Sequence, residues 1–141
     1  MPEVRRRVVS GMRIAKQDLP LKVDAPGATG RQLPDFGSAE GCTDMGAEHF
    51  AMTAGTDLAE LLKGLEGDAC QSPHWGYVIE GELTVSCTDG NEETLHGGDL
   101  FYWPPGHSLR VEQDAELVRF SPQHAHGPVL EHIAGRLRGA G

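Results

Sequence analysis

Several side chains in the middle of this 141-residue chain are of the types that bind transition metals. Cys70 and His74 lie four residues apart, and His107 follows the turn sequence Pro104-Pro105-Gly106. A thiolate combined with imidazoles suits Zn²⁺, and also Fe or Ni, better than Mg²⁺ or Ca²⁺. These residue types therefore favour a divalent transition metal, held in a site that the surrounding elements must assemble.

Other kinds of site are not indicated by the residue spacing. The three cysteines include no Cys-x-x-Cys pair, so neither a disulfide framework nor a zinc ribbon is expected. No serine stands in a nucleophile-elbow sequence, and no glycine-rich phosphate loop is present. The net charge of −9 argues against a nucleic-acid partner, because phosphate backbones are bound by basic surfaces.

The longest apolar runs are only a few residues long, far short of the ~20 that a membrane span needs. No membrane insertion and no secretory signal are therefore expected. An odd number of unpaired cysteines fits a reducing compartment, which predicts a cytoplasmic protein.

The elements that must position these residues are predicted to be short antiparallel strands. Leu83, Val85 and Cys87 alternate with polar residues, as in a half-buried strand, and the following Asp89-Gly90 is typical of a hairpin turn. Glycine and proline turns separate the segments at regular spacing, which indicates a sandwich or barrel. The predicted strands are 46–53, 75–79, 83–87, 92–95, 100–103, 110–112 and 116–120.

Both ends of the chain are predicted to differ from this central part. Residues 1–40 are rich in proline and glycine and read as an irregular lead-in with edge strands near 13–15 and 30–33. The central barrel is assigned to 41–125, with a short helical turn beginning at Asp57. Residues 126–141 are assigned to a C-terminal helix and tail. Four apolar residues share one face of this helix: Val129, Leu130, Ile133 and Leu137.

The glycine and proline pattern resembles the cupin family, whose members are small jelly-roll or double-stranded β-helix barrels. Gly98, the five residues after it and Pro104-Pro105-Gly106 match the first half of the second cupin motif. Residues 77–83, with Gly81 as the closing glycine, resemble the end of the first motif. The resemblance covers roughly residues 45–121 and extends to a subgroup of small single-domain bacterial cupins. It implies an all-β jelly-roll fold with a short C-terminal helix.

The metal positions depart from the family pattern of three histidines and one glutamate. Counting back from Gly81 places His74 at the glutamate position, and Cys70 and Asp68 at two histidine positions. The histidine position of the second motif holds Leu109, but His107 lies two residues earlier and would face the same side of a regular strand. The resemblance therefore implies a rebuilt site.

The candidate ligands of this site are His74, His107, Cys70 and, from the preceding strand, His49. Glu48 and Glu82 are candidate hydrogen-bond partners for a ligand histidine. Structural alternatives remain open: a buried histidine can bond across a barrel, and a free cysteine is often simply buried. Cys42 and Cys87 are interpreted as structural. His124 and His126 are expected in an exposed turn before the helix.

Tyr77, Phe101 and Trp103 are candidate contacts for a small molecule, since inward aromatics would line any cavity that the barrel keeps. Trp75 is expected to face outward, and family habit implies a homodimer. The functional hypothesis is a metal-binding cupin that acts on or binds a small molecule, as an oxygenase or isomerase if it is an enzyme. The alternative is a metal-free ligand-binding or sensory cupin, because the fold hosts both.

Overall fold

The computed structural model describes residues 12–38 and 44–140, so that Cys42 lies outside the described residues. These residues form seven β-strands and two α-helices, with short 3₁₀ segments at Lys16–Asp18 and Glu66–Asp68. The strands are β1 Leu21–Ala25, β2 Ala28–Leu33, β3 Met45–Met52, β4 His74–Cys87, β5 Glu92–His96, β6 Leu100–Trp103 and β7 His107–Pro122. The helices are α1 Ala59–Leu62 and α2 Gln123–Ala140.

The strands form one antiparallel sheet in the order β1-β2-β3-β7-β4-β5, and β6 pairs with β4. Alternate side chains of each strand point to the same face, so β4 and β7 direct Val78, Leu83, Val111 and Leu117 into a common core. The predicted all-β jelly-roll fold with one main C-terminal helix is confirmed.

The two longest strands correct the predicted strand boundaries. Segments 75–79 and 83–87 were expected to be separate, but β4 runs through both with register shifts between Val78 and Leu83. Gly81 lies within these bulges at φ +97°, which absorbs the extra residues without ending the strand. Likewise, the predicted strands 110–112 and 116–120 are both parts of β7.

The N-terminal prediction is partly wrong. Residues 13–15 form no strand, and the edge strand is β1, which pairs with β2. β2 in turn pairs residue by residue with β3, from Ala28 opposite Met52 to Leu33 opposite Ala47. The predicted hairpin turn is confirmed, with Cys87 N donating to Asn91 O at 2.8 Å.

The C-terminal helix begins earlier than predicted. Gln123 N donates to Asp44 O at 2.8 Å, which anchors the first residue of α2 to the start of β3. Pro128 therefore lies inside the helix, and the expected apolar face packs on the barrel. His126 is buried in α2, so the expected exposed turn is wrong for His126, whereas His124 is exposed. No helix among the described residues is both long and apolar enough to cross a membrane.

Candidate metal centre

Cys70, His74 and His107 meet on the inner side of the barrel. The segment before β4 runs antiparallel to the start of β7, with Cys70 N donating to His107 O at 2.8 Å. This backbone pairing brings together residues that lie 37 positions apart in the sequence. All three side chains are buried, and one ligand atom from each lies within 4.8 Å of the other two. Cys70 Sγ and His74 Nε2 are 3.4 Å apart.

Hydrogen bonds assign the proton of each ring to Nδ1. His107 Nδ1 lies 2.8 Å from Pro104 O, a pure acceptor, so this nitrogen must donate. Ser121 Oγ donates to Glu48 Oε1 at 3.1 Å and therefore accepts from His74 Nδ1 at 2.5 Å. Both rings consequently carry the lone pair on Nε2. Metal-binding histidines are held in this way, with the second ring nitrogen bonded to a protein acceptor.

Glu48 lies at the centre of an adjacent buried ion-pair cluster. Its Oε1 accepts from Arg119 Nε at 2.6 Å and from Ser121, and its Oε2 accepts from Gln32 Nε2 at 2.8 Å and from His126 Nδ1. A second group of potential ligands, Glu48, His74 and His126, is equally compact. However, each Glu48 oxygen already accepts two hydrogen bonds, and a guanidinium lies against it. The first group is therefore the better metal site.

Burial and the charge of Arg119 set the ionisation of both clusters. Burial lowers the pKa of His74 well below its usual range and that of His107 to about 4, and Arg119 adds to both shifts. Burial raises the pKa of the Cys70 thiol. Burial alone would raise the pKa of Glu48, but the charges and hydrogen bonds of His126 and Arg119 lower it to about 2. At neutral pH the two imidazoles are thus neutral, with the Nε2 lone pair of each ring available, beside an ionised Glu48.

A cavity adjoins these side chains, and residues at both helices form part of its wall. Leu58 and Leu62 at α1, and Val129 and Ile133 of α2, form apolar walls opposite the two histidines. The volume open to the centres of water-sized molecules is about 20 Å³. A single water needs about 10–15 Å³ by that measure, so the cavity has room for about one water-sized group beside the two histidines.

Two further polar groups line the cavity; Trp103 was a candidate from the sequence, whereas Arg119 was not singled out. Arg119 contributes its guanidinium, which also packs over the Phe50 ring at 4.3 Å. Trp103 is buried, and its Nε1 finds no hydrogen-bond partner among the described residues. An unpaired buried donor is costly, so an acceptor atom in the cavity would stabilise it.

The other candidate residues lie apart from this cluster. His49 faces away from Glu48 on β3 and its Nε2 contacts Glu116 Oε2 at 2.7 Å. Tyr77 is 39% exposed on the outside of the sheet. Phe101 stacks on Trp103 at 4.1 Å between ring centroids but does not line the cavity.

Two acidic residues considered in the sequence also have other partners. Asp68 Oδ1 accepts from Gly64 N at 3.0 Å, in the loop before β4. Glu82 Oε1 lies 3.7 Å from His96 Nε2 on the neighbouring strand β5.

The sequence interpretation expected His126 in an exposed turn, whereas the structure buries it. Its spacing to Val129, Leu130 and Ile133 continues their helical face by one turn, which could have indicated an inward histidine. Pro128 favoured the opposite interpretation, because prolines usually mark helix starts.

The donor set fits a transition metal. A sulfur at about 2.3 Å and a nitrogen at about 2.05 Å from one ion lie roughly 3.6 Å apart at a tetrahedral angle. The observed Sγ–Nε2 distance of 3.4 Å is close to that value. Three protein ligands with space beside them are the arrangement of catalytic rather than structural zinc sites.

Comparison with solved structures identifies the fold. Oxalate decarboxylase from Lactobacillus farciminis, solved as a formate complex, aligns with 80% of this chain and 33% of its own, at 16% identity and a TM-score of 0.54. Oxalate decarboxylase from Bacillus subtilis at pH 4.6 aligns with 80% and 29%, at 17% identity and a TM-score of 0.55. Ectoine synthase from P. lautus aligns with 71% and 67%, at 18% identity and a TM-score of 0.50. The chain thus spans about a third of the oxalate decarboxylases.

Comparisons of sequence match a smaller part of the chain than the comparisons of structure do. No curated protein matches the chain. The sequence model of one family, described as Cupin domain, matches residues 71–121, which contain His74, Trp103, His107 and Arg119. The resemblance inferred from Gly81, Gly98 and the Pro-Pro-Gly turn is thereby confirmed: the chain has a cupin-type fold, and its residues 71–121 match the Cupin domain model.

Proposed function

We propose that this protein holds one divalent transition metal with Cys70, His74 and His107 and uses the adjoining cavity to bind or transform a small molecule. The observation that carries the proposal is the convergence of one thiol and two Nε2 lone pairs in a buried cavity. The second ring nitrogen of each histidine is bonded to the protein, so both rings are already oriented. Zn, Fe and Ni suit this donor set.

The residues around the cavity favour a ligand that carries oxygen atoms. Arg119 and the unpartnered Trp103 Nε1 are donors, and the walls from both helices are apolar and would exclude water. A bound metal would polarise a carbonyl or carboxylate oxygen as a Lewis acid. The formate complex of one oxalate decarboxylase of similar fold supports a small carboxylate as the ligand class. Oxygenation and isomerisation are the proposed reaction classes.

Metal content tests the proposal directly. We expect untagged protein purified without chelator to hold about one equivalent of Zn, Fe or Ni by elemental mass spectrometry, and His74→Ala to lose it, because one of three ligands is removed. His124→Ala, which removes an exposed histidine, should keep the metal. Cys70→Ser offers a second reading in case His74→Ala does not fold, since it should abolish the thiolate-to-metal absorption of Co²⁺-loaded protein. A wild-type protein that takes up none of these metals on titration would contradict the proposal.

Ser121 is expected to act through His74. Ser121→Ala removes the acceptor of His74 Nδ1–H, so we expect metal affinity to fall about 10–100-fold, the range typical of hydrogen-bond partners of ligand histidines. Competition with a chromogenic chelator measures the affinity. Ser86→Ala is a matched control, because Ser86 Oγ donates to Glu92 on a different edge of the sheet. Equal affinities for the wild type and Ser121→Ala would show that Ser121 does not position the ring.

A metal-free binding protein is the second candidate function. The Cys70 Sγ–His74 Nε2 contact is also a satisfied thiol–imidazole hydrogen bond, which needs no ion. In that case purified protein would lack metal but would gain thermal stability with a small carboxylate such as formate.

A further inference from the structure

The cavity of the candidate metal centre is too small to enclose an organic ligand by itself. It has room for about one water-sized group beside His74 and His107, whereas even formate, the smallest carboxylate, is larger than a water molecule. A molecule that places an oxygen atom in this cavity must therefore lie partly outside it. The remainder of such a molecule needs a second, adjoining space.

A second pocket adjoins the cavity across the side chain of Trp103. We call it the outer pocket; the residues that line it include Val85, Cys87, Glu92, Glu93, Trp103 and Pro104. Its volume open to the centres of water-sized molecules is about 330 Å³, against about 20 Å³ for the cavity. Trp103 lines both spaces, so its indole ring stands between them.

Strand register places the walls of the two spaces side by side. Strands β4 and β7 pair so that Cys87 of the outer pocket lies opposite His107 of the cavity. In the same way Val85 of the outer pocket lies opposite Leu109 of the cavity. Pro104 also holds the candidate ligand His107, because its carbonyl oxygen accepts from Nδ1 at 2.8 Å. The outer pocket therefore shares its framework with the candidate metal site.

Packing alone holds Trp103 in its place between the two spaces. The residue is 3% exposed, and its ring stacks on Phe101 at 4.1 Å between centroids. Its Nε1 is buried and forms no hydrogen bond with the described residues. An unpaired buried donor destabilises the conformation that buries it, so a rotation that brings Nε1 to an acceptor would gain a hydrogen bond. Trp103 is thus suited to act as a movable wall.

The outer pocket has a negative electrostatic environment. Glu92 and Glu93 line it, and none of the described residues in its wall is basic. Glu93 lies opposite the buried Val85 on β4, which places both residues on the same face of the sheet. Burial raises the pKa of the Cys87 thiol, and the charges of Asp89 and Glu93 raise it further. An anionic group in this pocket would be repelled, whereas an ammonium group would be attracted.

We propose that the substrate is a small monocarboxylate with an uncharged or cationic far end, and that the outer pocket holds this far end. The inference rests on the proposed function, because the carboxylate is assigned to the metal cavity, where Arg119 is a cationic donor. Trp103 turns aside when the substrate binds, and the molecule then spans both spaces. A dicarboxylate is disfavoured, because its second carboxylate would lie against Glu92 and Glu93.

Three four-carbon acids test the ligand class: butyrate, 4-aminobutyrate and succinate. Calorimetric titration of Co²⁺-loaded protein measures their affinities, and the Co²⁺ absorption bands report whether each carboxylate reaches the metal. We expect 4-aminobutyrate to bind about 2–5-fold more tightly than butyrate, the usual effect of one solvent-exposed charge pair, and succinate to bind more weakly than butyrate. Tightest binding of succinate, or binding of none of the three acids, would overturn the proposal.

Glu93→Arg tests where the far end of the ligand lies. Glu93 is exposed, so the variant should fold, and it should lose the preference for 4-aminobutyrate over succinate. Glu131→Arg makes the same charge change at an exposed position of α2 and should keep the wild-type order of affinities. An unchanged order in Glu93→Arg would overturn the assignment of the far end to the outer pocket.

Fluorescence tests the movement of Trp103. Trp75→Phe, a change at a 45% exposed position, leaves Trp103 as the only tryptophan of the chain. In Zn²⁺-loaded Trp75→Phe, 4-aminobutyrate should shift the Trp103 emission to longer wavelength and increase its quenching by acrylamide. Binding of 4-aminobutyrate without either change would overturn the role of Trp103 as a movable wall.

Metal uptake separates a failure of this inference from a failure of the proposed function. Protein that takes up no Co²⁺ would contradict the proposed function and, with it, the assignment of the carboxylate. Protein that takes up Co²⁺ and changes its absorption bands with formate, but with none of the three longer acids, would contradict the outer pocket alone.

Discussion

Replacing Glu48 with glutamine is expected to lower the free energy of unfolding by about 3–5 kcal/mol, the usual cost of breaking a buried ion pair. Glu48 and Arg119 are both buried, and the carboxylate accepts four hydrogen bonds. The glutamine amide cannot accept from all four donors, and it leaves the Arg119 guanidinium without a counter-charge. Urea unfolding at pH 7 measures the difference.

The difference in the free energy of unfolding between the wild type and Glu48→Gln should also depend on pH, in a defined direction. The folded-state pKa of Glu48 is about 2, below its ordinary value of 4.5. A depressed carboxyl pKa stabilises the folded state fully above the ordinary value, and the stabilisation is lost as pH falls through the folded pKa. The shift corresponds to about 3 kcal/mol. The difference in the free energy of unfolding between the wild type and Glu48→Gln should therefore become smaller as the pH falls from 4.5 towards 2.

A surface glutamate provides the matched control for Glu48. Glu112 also pairs with an arginine, with Arg110 Nε donating to Glu112 Oε2 at 2.9 Å, but solvent screens this pair. Glu112→Gln should change the unfolding midpoint far less than Glu48→Gln. Two results would contradict the buried ion pair of Glu48 and Arg119. One is a similar change in the unfolding midpoint for both variants, and the other is a stability difference between the wild type and Glu48→Gln that does not depend on pH.

Gly81→Ala is expected to lower the free energy of unfolding by about 3–5 kcal/mol or to prevent folding. An added Cβ has no room at this position, and the backbone conformation of residue 81 is unfavourable for alanine. The Cβ would lie 2.2 Å from Asp114 O and 2.5 Å from Ala115 Cα, both of them backbone atoms. Moving those atoms would disturb the register of β4 with β7, the two strands that carry His74 and His107. Thermal and urea unfolding, with circular dichroism for the fold, measure the effect.

Gly90→Ala separates the steric clash of the added Cβ from the strain of the backbone conformation. Gly90 has nearly the same backbone conformation, φ +96° against +97°, but an added Cβ there meets nothing within 4 Å. It should therefore cost only the conformational strain, about 1–2 kcal/mol. If Gly81→Ala cost no more than Gly90→Ala, the close approach of β7 to the bulge would not constrain position 81.

Local signals predicted the elements near the candidate site with good accuracy. The alternation of Leu83, Val85 and Cys87 and the Asp89-Gly90 turn predicted the hairpin that the structure contains. Such signals are short-range: side-chain alternation and turn conformation depend on a few neighbouring residues. Breaks were predicted too often, at Gly81 and near residue 113, because a glycine in a bulge and a glycine that ends a strand look alike in sequence.

The face of the sheet on which a side chain lies was harder to predict than the strand that carries it. His49 was correctly placed on a strand, but its side chain lies on the opposite face from Glu48, one residue earlier. Alternation places neighbouring residues on opposite faces, and the apolar residues of β3 on both sides leave open which face is inward. Tyr77 was likewise expected at the cavity but lies on the outside of the sheet.

By itself, the sequence determined the fold class, the acidic character of the chain and the residues able to serve as ligands, because composition, periodicity and turn chemistry are local properties. Only the tertiary structure decided which of those residues meet. Cys70, His74 and His107 converge through the pairing of the loop before β4 with β7, and His126 reaches Glu48 because α2 begins at Gln123. These contacts join residues tens of positions apart, and the packing that brings them together depends on the whole barrel.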